Sequence, residues 1–293
     1  MTANILDGRL VSDFLLTTVS REVETLNAQG VTPKLVIILV GNNPSSLSYI
    51  RQKENTSKKV GFAYEQKNLD EKVTTEKLVV LIEKLNCDKS VHGILVQLPL
   101  PAHIEVPLVI RAIDPMKDVD GFQAYNLGKL FLAKDFEDLI PCTPRGIVRL
   151  LDYYELDVAG KEVTIVGRSN TVGKPLAVML INRDATVTVC HSKTPNLADH
   201  TRRADVLIAA VGRPRMITAD MVKKGAIVID VGITKVENKL VGDVDFDAVK
   251  EKASWITPVP GGVGPMTVMC LMDNVLRAAK RLTRMPSLSE AKQ

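Results

Sequence analysis

The stretch Val163-Thr-Ile-Val-Gly-Arg-Ser-Asn-Thr-Val-Gly-Lys-Pro175 decides how the second half of the chain folds. Its apolar start predicts a buried strand that enters a turn at Gly167, and a helix is predicted to begin near Val172. Glycine lets a backbone approach a pyrophosphate, and a helix N-terminus offers free N–H groups and partial positive charge. Arg168 and Ser169 depart from the strict Gly-x-Gly-x-x-Gly pattern. The stretch favours a dinucleotide site, with a strand-to-helix turn whose glycines only relieve steric strain as the alternative.

The surrounding sequence alternates between apolar runs and helical patterns. A helix is predicted from Arg145 to Tyr154, and Gly160 then leads into a series of strands. A strand followed by a glycine-bearing turn and a helix is what a dinucleotide-binding fold requires. The predicted strands are Glu162–Val166, Thr186–Cys190, Ala204–Ala210 and Ala226–Val231.

The first half of the chain shows the same alternation. Apolar positions recur at helical spacing from Ile5 to about Gln29, and Gly30 closes that helix. Continuous apolar runs are typical of strands buried on both faces of a parallel sheet. Strands are predicted at Lys34–Val40, Phe62–Asn68 and Gly93–Pro99, with a polar helix ending near Gly61 and a helix capped by Thr74 or Thr75.

The predicted fold class is α/β, with two α/β domains flanking a cleft and a Rossmann-type parallel sheet in the second. Residues 1–140 form the first domain, joined by a last helix at about 265–283, and residues 141–264 form the second. The hydrophobic periodicity weakens after Gly121, and the stretch Leu240–Gly264 is predicted to be rich in loops. The tail, residues 284–293, is predicted to be disordered.

Composition excludes several classes of protein. The chain is 45% hydrophobic and 25% charged, which is average for a globular protein and argues against disorder. No stretch approaches the ~20 apolar residues of a membrane span. The net charge of +4 is spread along the chain, so neither nucleic acid nor membrane binding is expected. The first residues do not resemble a signal peptide, and a cytoplasmic location is predicted.

The cysteines and histidines argue against a metal site. Cys87, Cys142, Cys190 and Cys270 are far apart in sequence and form no Cys-x-x-Cys pair. The histidines also lack ligand spacing. Buried free thiols in a reducing compartment are the expected state, and no metal is predicted.

The end of the second Rossmann strand indicates which cofactor is preferred. An NAD site usually places Asp or Glu there, about 20 residues after the first glycine, to bind the ribose 2′-OH. Here the sequence reads Cys190-His191-Ser192-Lys193-Thr194, with no acid. Arg168, Ser192 and Lys193 or His191 would attract a 2′-phosphate instead. NADP is favoured, with solvated strand-end residues as the alternative.

The first domain carries polar residues in positions that favour proton transfer. Tyr49 and Lys53 share a face if their segment is helical, and a partly desolvated lysine titrates nearer neutrality. Gln97, between Val96 and Leu98, lies near the carboxyl end of a predicted strand, where ligands of open α/β sheets gather. Asp118 and Asp120 follow on a predicted loop and could accept hydrogen bonds from an amino-pyrimidine edge. Each feature alone is weak evidence for a site. A Tyr-x-x-x-Lys pair occurs by chance on many helices, a glutamine at a strand end often caps a backbone group, and aspartates are common in surface turns.

A proline- and glycine-rich run, Thr257-Pro-Val-Pro-Gly-Gly-Val-Gly-Pro-Met-Thr267, precedes the last predicted helix. Its prolines fix the backbone and its glycines permit close approach by a flat ligand. A helix beginning near Pro265 would direct its N-terminus at the same place. A rigid structural loop is the alternative.

Together these motifs resemble the methylenetetrahydrofolate dehydrogenase/cyclohydrolase family over about Leu6 to Arg281. So many ordered matches are very unlikely by chance. The matching pieces are Val40–Pro44, Tyr49-x-x-x-Lys53, Gly93–Pro101, Lys117–Phe122, Pro141–Gly146, Gly167–Ser169, Val231–Ile233, Val241–Val244 and Pro258–Thr267.

The resemblance implies a homodimer that oxidises 5,10-methylenetetrahydrofolate with NADP and hydrolyses the methenyl product to 10-formyltetrahydrofolate. It also implies that Lys53 is the principal catalytic group, assisted by Gln97. Asn55 stands where the family often has a second basic residue. The implied catalytic and folate-binding residues are Tyr49, Lys53, Val96, Gln97, Leu98, Asp120, Pro260 and Gly261. The implied cofactor-binding residues are Thr143, Gly167, Arg168, Ser169, Gly173, His191, Ser192, Gly212 and Ile233.

Three rival functions remain open at this point. A dehydrogenase without hydrolase activity would keep the same motifs. A Rossmann dehydrogenase for an amino or hydroxy acid would leave Tyr49, Lys53 and Gln97 unexplained. A non-enzymatic NADP-binding protein would tolerate the loss of Lys53, which is present.

Overall fold

The computed structural model describes residues 2–237 and 239–284. This part of the chain divides into two compact units. The N-terminal unit comprises Phe14–Lys129, Glu137–Ile140 and the residues from Val268 onward. The C-terminal unit comprises Pro141–Thr267 together with Leu130–Phe136 and the residues up to Asp13.

Strands and helices alternate along most of the described chain. The strands are β1 (Asn4–Ile5), β2 (Lys34–Val40), β3 (Ala63–Leu69), β4 (Gly93–Val96), β5 (Glu162–Val166), β6 (Thr186–Cys190), β7 (Val206–Ala209), β8 (Ile227–Asp230), β9 (Thr234–Val236), β10 (Lys239–Val241) and β11 (Trp255–Ile256). The helices are α1 (Gly8–Ala28), α2 (Pro44–Val60), α3 (Thr75–Cys87), α4 (Val106–Ala112), α5 (Ala124–Leu130), α6 (Cys142–Tyr153), α7 (Gly173–Ile181), α8 (Leu197–Thr201), α9 (Phe246–Val249) and α10 (Val263–Arg284). Single 3₁₀ turns occur at Lys134–Phe136 and Ala219–Met221.

The sheet of the N-terminal unit has three parallel strands in the order β3-β2-β4. Strand β2 is buried after its first residue, as a continuous apolar run predicts for a central strand. Helix α3 buries Leu78, Ile82 and Leu85, spaced four and three apart, in the core with strands β2 and β4. Thr74 caps this helix by accepting a hydrogen bond from the Lys77 N–H.

The sheet of the C-terminal unit has six parallel strands in the order β1-β11-β8-β7-β5-β6. Val166 pairs with Ala209, and Ala209 pairs with Asp230, so the carboxyl ends of β5, β7 and β8 are aligned. The segments that follow these three strands therefore start at one edge of the sheet. Ligands of open parallel sheets bind at such an edge. Strands β9 and β10 form a separate antiparallel hairpin.

The predicted fold class is confirmed, as both units are α/β and one carries a parallel six-stranded sheet. Strands β2, β5 and β6 have the predicted bounds. The assignment of residues 1–140 and 141–264 to separate functional domains stays a prediction. Of the predicted disordered tail, Arg284 ends α10, and residues 285–293 lie outside the described part of the chain.

The predicted start of the first helix was wrong. The first helix begins at Gly8, because Asn4–Ile5 pairs with Trp255–Ile256 as an edge strand of the six-stranded sheet. The stretch Leu240–Gly264 is loop-rich as predicted, although it also contains the short elements α9 and β11. Two-residue strands are too short for a period of two to show in the sequence. No described helix is long and apolar enough to cross a membrane.

Candidate functional site

Lys53 and Gln97 meet in the N-terminal unit. Lys53 lies on α2, and its Nζ donates a hydrogen bond of 3.0 Å to Gln97 Oε1. Gln97 directly follows β4, and its backbone N–H continues the sheet by donating to Ile38 O at 2.9 Å. Its side-chain Nε2 donates to Leu98 O at 2.8 Å, which turns the amide oxygen towards the lysine. The half-buried lysine is therefore held by an amide that is itself fixed on two sides.

Asp120 lies on a loop that runs beside β4. Asp118 forms a parallel bridge with Ile94, which attaches this loop to the sheet. The buried Asp118 carboxylate accepts hydrogen bonds from the N–H groups of Gly121, at 3.1 Å, and Gln123, at 2.8 Å. Asn126 Nδ2 donates to the same carboxylate at 3.0 Å. These bonds close a tight turn around Asp120, with Gly121 at a φ of +73°.

Electrostatics couples Asp120 to Lys53. Burial raises the pKa of Asp120 to about 6, the charge of Lys53 acts in the opposite direction, and Asp118 raises it further. A carboxyl group that titrates near 6 can exchange protons near neutral pH. The structure thus brings Lys53, Gln97 and Asp120 together.

Tyr49 lies one helical turn before Lys53 on α2. Its side chain is 37% exposed, and partial burial raises the pKa of its hydroxyl. Val96, Leu98 and Asp120 line one narrow cavity together with Phe122. The predicted substrate residues of the N-terminal unit therefore lie around the carboxyl end of β4.

Lys117, whose role the sequence did not reveal, anchors the same loop at its start. This lysine is 4% exposed, and its Nζ donates to three carbonyl oxygens at the end of α3: Leu85 at 3.1 Å, Asn86 at 2.7 Å and Asp88 at 2.7 Å. A cation at a helix C-terminus also offsets the helix dipole. Lys117 thus fixes the segment from which Asp118 and Asp120 project.

The turn after β5 in the C-terminal unit approaches other backbone so closely that side chains are excluded. Gly167 has a φ of +131°, and an added Cβ would lie 2.2 Å from Ala210 O. A Cβ at Gly173, the first residue of α7, would lie 2.1 Å from Gly167 O. Glycine is therefore required at both positions to avoid a steric clash, as the alternative interpretation proposed. The absence of side chains also leaves the backbone of this turn accessible at the edge of the sheet.

Ser169 organises the start of α7. Its Oγ accepts hydrogen bonds from the N–H groups of Val172, at 3.1 Å, and Gly173, at 3.3 Å. The hydroxyl hydrogen remains able to donate to a phosphate oxygen. Arg168 beside it is exposed and forms no ion pair within the described ranges. The residues present therefore fit a dinucleotide phosphate group.

The end of β6 forms a compact turn without an acid. The His191 N–H donates to Thr194 Oγ1 at 2.9 Å, and the Lys193 N–H donates to His191 Nδ1 at 3.1 Å. His191 Nδ1 is thus the acceptor that closes this turn. Ser192 and Lys193 are exposed. Hydroxyl and cationic groups at this position suit a 2′-phosphate better than a 2′-hydroxyl.

The remaining predicted residues of the C-terminal unit lie on four segments. Gly212 follows β7, Ile233 follows β8, and the side chain of Ile233 is 37% exposed. Thr143, near the start of α6, shares a 3.0 Å hydroxyl contact with Thr267. Pro260 and Gly261 precede α10, and Gly261 O accepts the N–H of Arg9 at 3.1 Å.

Sequence reasoning missed two buried acids in this unit, Asp230 and Asp243. Asp243 occurs in the quoted motif Val241–Val244 and Asp230 in the predicted strand Ala226–Val231, both without a role. Both bind loops at the carboxyl edge of the sheet. A glycine near each acid, in Asp230-Val-Gly232 and in Gly242-Asp243, is the signal that could have found them. Among the described residues, no group of three or more His, Cys, Asp or Glu is arranged to hold a metal ion.

Two family models match the chain and together cover most of its length. Residues 6–120 match the tetrahydrofolate dehydrogenase/cyclohydrolase catalytic domain, and residues 141–283 match the NAD(P)-binding domain of the same family. The chain belongs to the tetrahydrofolate dehydrogenase/cyclohydrolase family.

Curated members of the family align with nearly the whole chain. The bifunctional protein FolD of Bacillus pumilus and that of Bacillus subtilis are each 51% identical to it over 282 residues, which is 96% of this chain and 99% of theirs. The similarity therefore extends over both domains of these bifunctional family members rather than over one.

Solved structures of family members agree with the fold. The bifunctional FolD from Campylobacter jejuni superposes with a TM-score of 0.93 at 46% identity, covering 95% of this chain and 99% of that one. The Trypanosoma brucei enzyme, solved with NADP and an inhibitor, superposes with a TM-score of 0.94 at 38% identity, covering 97% and 100%.

The family and both activities predicted from the sequence are confirmed. The chain is a bifunctional methylenetetrahydrofolate dehydrogenase and methenyltetrahydrofolate cyclohydrolase with an NAD(P)-binding domain. Its substrates are one-carbon derivatives of tetrahydrofolate. Neither family models nor relatives test the individual site residues, so their roles stay predictions.

Proposed function

We propose that Lys53, assisted by Gln97 and Tyr49, moves the protons of the cyclohydrolase reaction, and that NADP is the cofactor of the dehydrogenase reaction. The observation that carries the first part is the 3.0 Å hydrogen bond from Lys53 Nζ to Gln97 Oε1, beside an Asp120 whose pKa is raised to about 6. The hydrogen bond holds the Lys53 amine in one position, as a general acid or base requires.

The dehydrogenase step needs alignment more than proton transfer. The methylene carbon between N5 and N10 of the folate loses a hydride, and the nitrogen lone pairs stabilise the cation that develops. Bound NADP⁺ supplies the hydride acceptor. The protein contributes proximity and orientation, for which rigid loops are suited. Asp120 would hold the pterin by accepting hydrogen bonds from its amino-pyrimidine edge.

The cyclohydrolase step needs proton transfer. Water attacks the methenyl carbon and loses one proton, which leaves a hydroxyl group on that carbon. The hydroxyl group then loses its proton to form the formyl C=O while the C–N bond to N5 breaks and N5 gains a proton, so that one proton is released overall. The product is 10-formyltetrahydrofolate. Lys53 would accept and return these protons, Gln97 would keep its Nζ in place, and Tyr49 would stack on the folate or hydrogen-bond to it.

The preference for NADP is supported by the charges around the turns after β5 and β6. Arg168, Ser192 and Lys193 are exposed, and His191 lies beside them on the same turn as Ser192. No acid stands at the end of β6 to repel a 2′-phosphate. The Trypanosoma brucei relative was solved with NADP. We assign the pyrophosphate and 2′-phosphate to this edge, with Gly212, Ile233 and Thr143 nearer the nicotinamide.

The first test is a spectroscopic assay with methylenetetrahydrofolate and NADP⁺ that follows NADPH and methenyltetrahydrofolate absorbance together. NADPH should form while the methenyl intermediate stays low, because hydrolysis removes it. Accumulation of both in equal amounts would contradict the proposed hydrolysis by Lys53. The same assay with NAD⁺ should show a lower kcat/KM; equal values for the two cofactors would contradict the NADP assignment.

The proposal also includes a homodimer in the cytoplasm, as the family resemblance implies. The free state of all four cysteines, of which Cys142, Cys190 and Cys270 are buried, is consistent with a reducing compartment. Light scattering during size-exclusion chromatography should give twice the chain mass of 32.1 kDa. A mass of one chain would contradict the dimer, and recovery of the activity outside the cytoplasmic fraction would contradict the location.

A further inference from the structure

Two buried carboxylates tie together the loops at the carboxyl ends of β7 and β8. Asp230, the last residue of β8, is 4% exposed. Its Oδ1 accepts the N–H groups of Gly232 and Asp243, each at 2.9 Å, and its Oδ2 accepts the Val244 N–H at 2.9 Å. One side chain thus joins the loop after β8 to the segment after β10.

Asp243 extends this connection to the loop after β7. It is fully buried, and its Oδ2 accepts the N–H groups of Val211, at 2.6 Å, and Gly212, at 2.9 Å. Its other carboxylate oxygen has no hydrogen-bond partner among the described residues. Hydrogen bonds from backbone N–H groups to a carboxylate are among the stronger ones in proteins.

The glycines of these loops are required by the carboxylates. An added Cβ at Gly232 would lie 2.2 Å from Asp243 Cγ, and one at Gly242 would lie 1.9 Å from Asp230 Oδ2. The backbone at both positions therefore lies directly against a carboxylate. Neither loop can shift without breaking hydrogen bonds to buried acceptors, and such bonds are costly to leave unmade.

We propose that Asp243, supported by Asp230, is a positioning residue for the nicotinamide cofactor, which it serves by fixing Val211–Gly212 and the loop that carries Ile233. This inference rests on the proposed function, which assigns Gly212 and Ile233 to the cofactor. Both acids belong to the C-terminal unit, whereas Lys53, Gln97 and Asp120 belong to the N-terminal unit. The inference therefore predicts that the two activities respond differently to loss of these carboxylates.

The test is Asp243→Asn, which keeps the shape of the side chain but removes its charge. Its neutral oxygen is a weaker acceptor for the two N–H groups, and its NH₂ group enters a place where no acceptor is described. The KM for NADP should rise about tenfold or more, with a smaller change in kcat. Hydrolysis of methenyltetrahydrofolate supplied directly, without NADP, should stay within about twofold of the wild-type rate.

Asp205→Asn is the matched control. Asp205 precedes β7, accepts the Glu162 N–H at 3.0 Å and pairs with Lys223, so it also joins neighbouring segments of the same sheet, but at the amino ends of the strands. Its replacement should leave the KM for NADP unchanged. An equal rise in both variants, or no rise in Asp243→Asn, would overturn the inference.

A purely structural role gives a different result from a positioning role. If Asp243→Asn lowered both activities by the same factor, the carboxylate would serve stability alone and the inference would fail. Should that variant not fold, Asp230→Asn carries the same expectation, with the same split supporting the inference and a parallel loss overturning it. The wild-type enzyme is measured in the same assays. If the wild type did not use NADP, the proposed function itself would have failed, and this result would be distinct from a failure of the inference about Asp243.

Discussion

The predicted site in the N-terminal unit and the one in the C-terminal unit are built from different parts of the chain. In the first, the proposed chemistry rests on three polar side chains: Lys53 hydrogen-bonds to Gln97, and Asp120 lies near them. In the second, glycine backbone forms the surface, as at Gly167 and Gly173, where no side chain fits. The first site depends on the chemical reactivity of particular side-chain groups, and the second depends on how closely a ligand can approach the backbone.

The difference predicts how each site should respond to substitution. Removing a proton-transfer group leaves the structure intact but removes a chemical step. Changing a phosphate-binding loop alters affinity, because the contacts are many and each is modest. Substitutions in the first site should therefore change rates, and those in the second should change KM values and cofactor choice.

The largest effect is expected for Lys53→Met, which keeps the length and apolar stem of the side chain but removes the amine. Cyclohydrolase activity should fall by about 10²-fold or more, the usual contribution of a positioned acid or base. Dehydrogenase activity should fall less, since hydride transfer needs no proton transfer. Separate assays with methenyl- and methylenetetrahydrofolate measure the two activities.

Lys58→Met is the matched control for this prediction. Lys58 lies on the same helix, its side chain is 64% exposed, and it pairs with Glu54 at 2.6 Å. Both activities should persist in this variant. Full cyclohydrolase activity in Lys53→Met would refute the catalytic role of the lysine. The proposed contrast between a side-chain site in the N-terminal unit and a backbone site in the C-terminal unit would then fail.

The next largest effect is expected for Arg168→Ala in the C-terminal unit. Loss of a charge-assisted contact to the 2′-phosphate should raise the KM for NADP about 10- to 100-fold and leave that for NAD nearly unchanged. Arg202→Ala, which removes a surface arginine that pairs with Asp199 and Asp220, should change neither value. An unchanged ratio of the two KM values in Arg168→Ala would contradict the assignment of this turn to the 2′-phosphate.

Long, strongly patterned elements of the fold could be predicted from the sequence, and short ones could not. Strand β2 has the predicted bounds because six consecutive apolar residues are buried on both faces. Strands β1 and β11 were not predicted, because two residues show no periodicity. Strand β11 lies between β1 and β8, and β1 exists only through its pairing with β11, about 250 positions away in sequence. Their pairing moves the start of α1 from Ile5 to Gly8.

Site residues could be predicted only where a chemically suitable residue type occurs within a recognisable sequence motif. Lys53 and Gln97 are 44 positions apart, and their hydrogen bond depends on how α2 and β4 pack, which no local pattern encodes. The family resemblance supplied that pairing. It assigned no role to Lys117, Asp230 or Asp243, because these side chains bind backbone groups and their partners become visible only in three dimensions.

A third prediction concerns stability in the N-terminal unit. The pKa of Asp120 is raised from 3.8 to about 6 in the folded protein, so folding is opposed by its charged form. This destabilisation is fully present well above pH 6 and is mostly lost as the pH falls through 6 to 4, because the folded state becomes protonated there; below pH 3.8 the carboxyl is protonated in both states. Asp120→Asn should therefore raise the free energy of unfolding at pH 8 by about 1 to 3 kcal/mol and have little effect at pH 4.

Urea unfolding of both proteins at the two pH values measures this difference. Asp247→Asn is the control, because the pKa of the exposed Asp247 is lowered by its hydrogen bond with Lys250, so its charged form does not oppose folding. No gain should occur there at pH 8. A gain for Asp120→Asn that is equal at pH 8 and pH 4 would show that charge is not the cause.

The smallest effect separates two helical glycines, one in each unit. Gly128 lies in α5, and nothing is within 4 Å of an added Cβ, whereas a Cβ at Gly146 in α6 would lie 2.9 Å from Met266 Cβ and 3.1 Å from its carbonyl carbon. Gly128→Ala should stabilise the protein by about 0.5 to 1 kcal/mol, since alanine favours helix. Gly146→Ala should destabilise it by about 1 to 3 kcal/mol, because α6 would have to move away from the start of α10. The melting temperature should rise for Gly128→Ala and fall for Gly146→Ala. A rise for Gly146→Ala would show that backbone packing in the C-terminal unit tolerates an added methyl group, in contrast to the tight packing at the loops after β5 and β8.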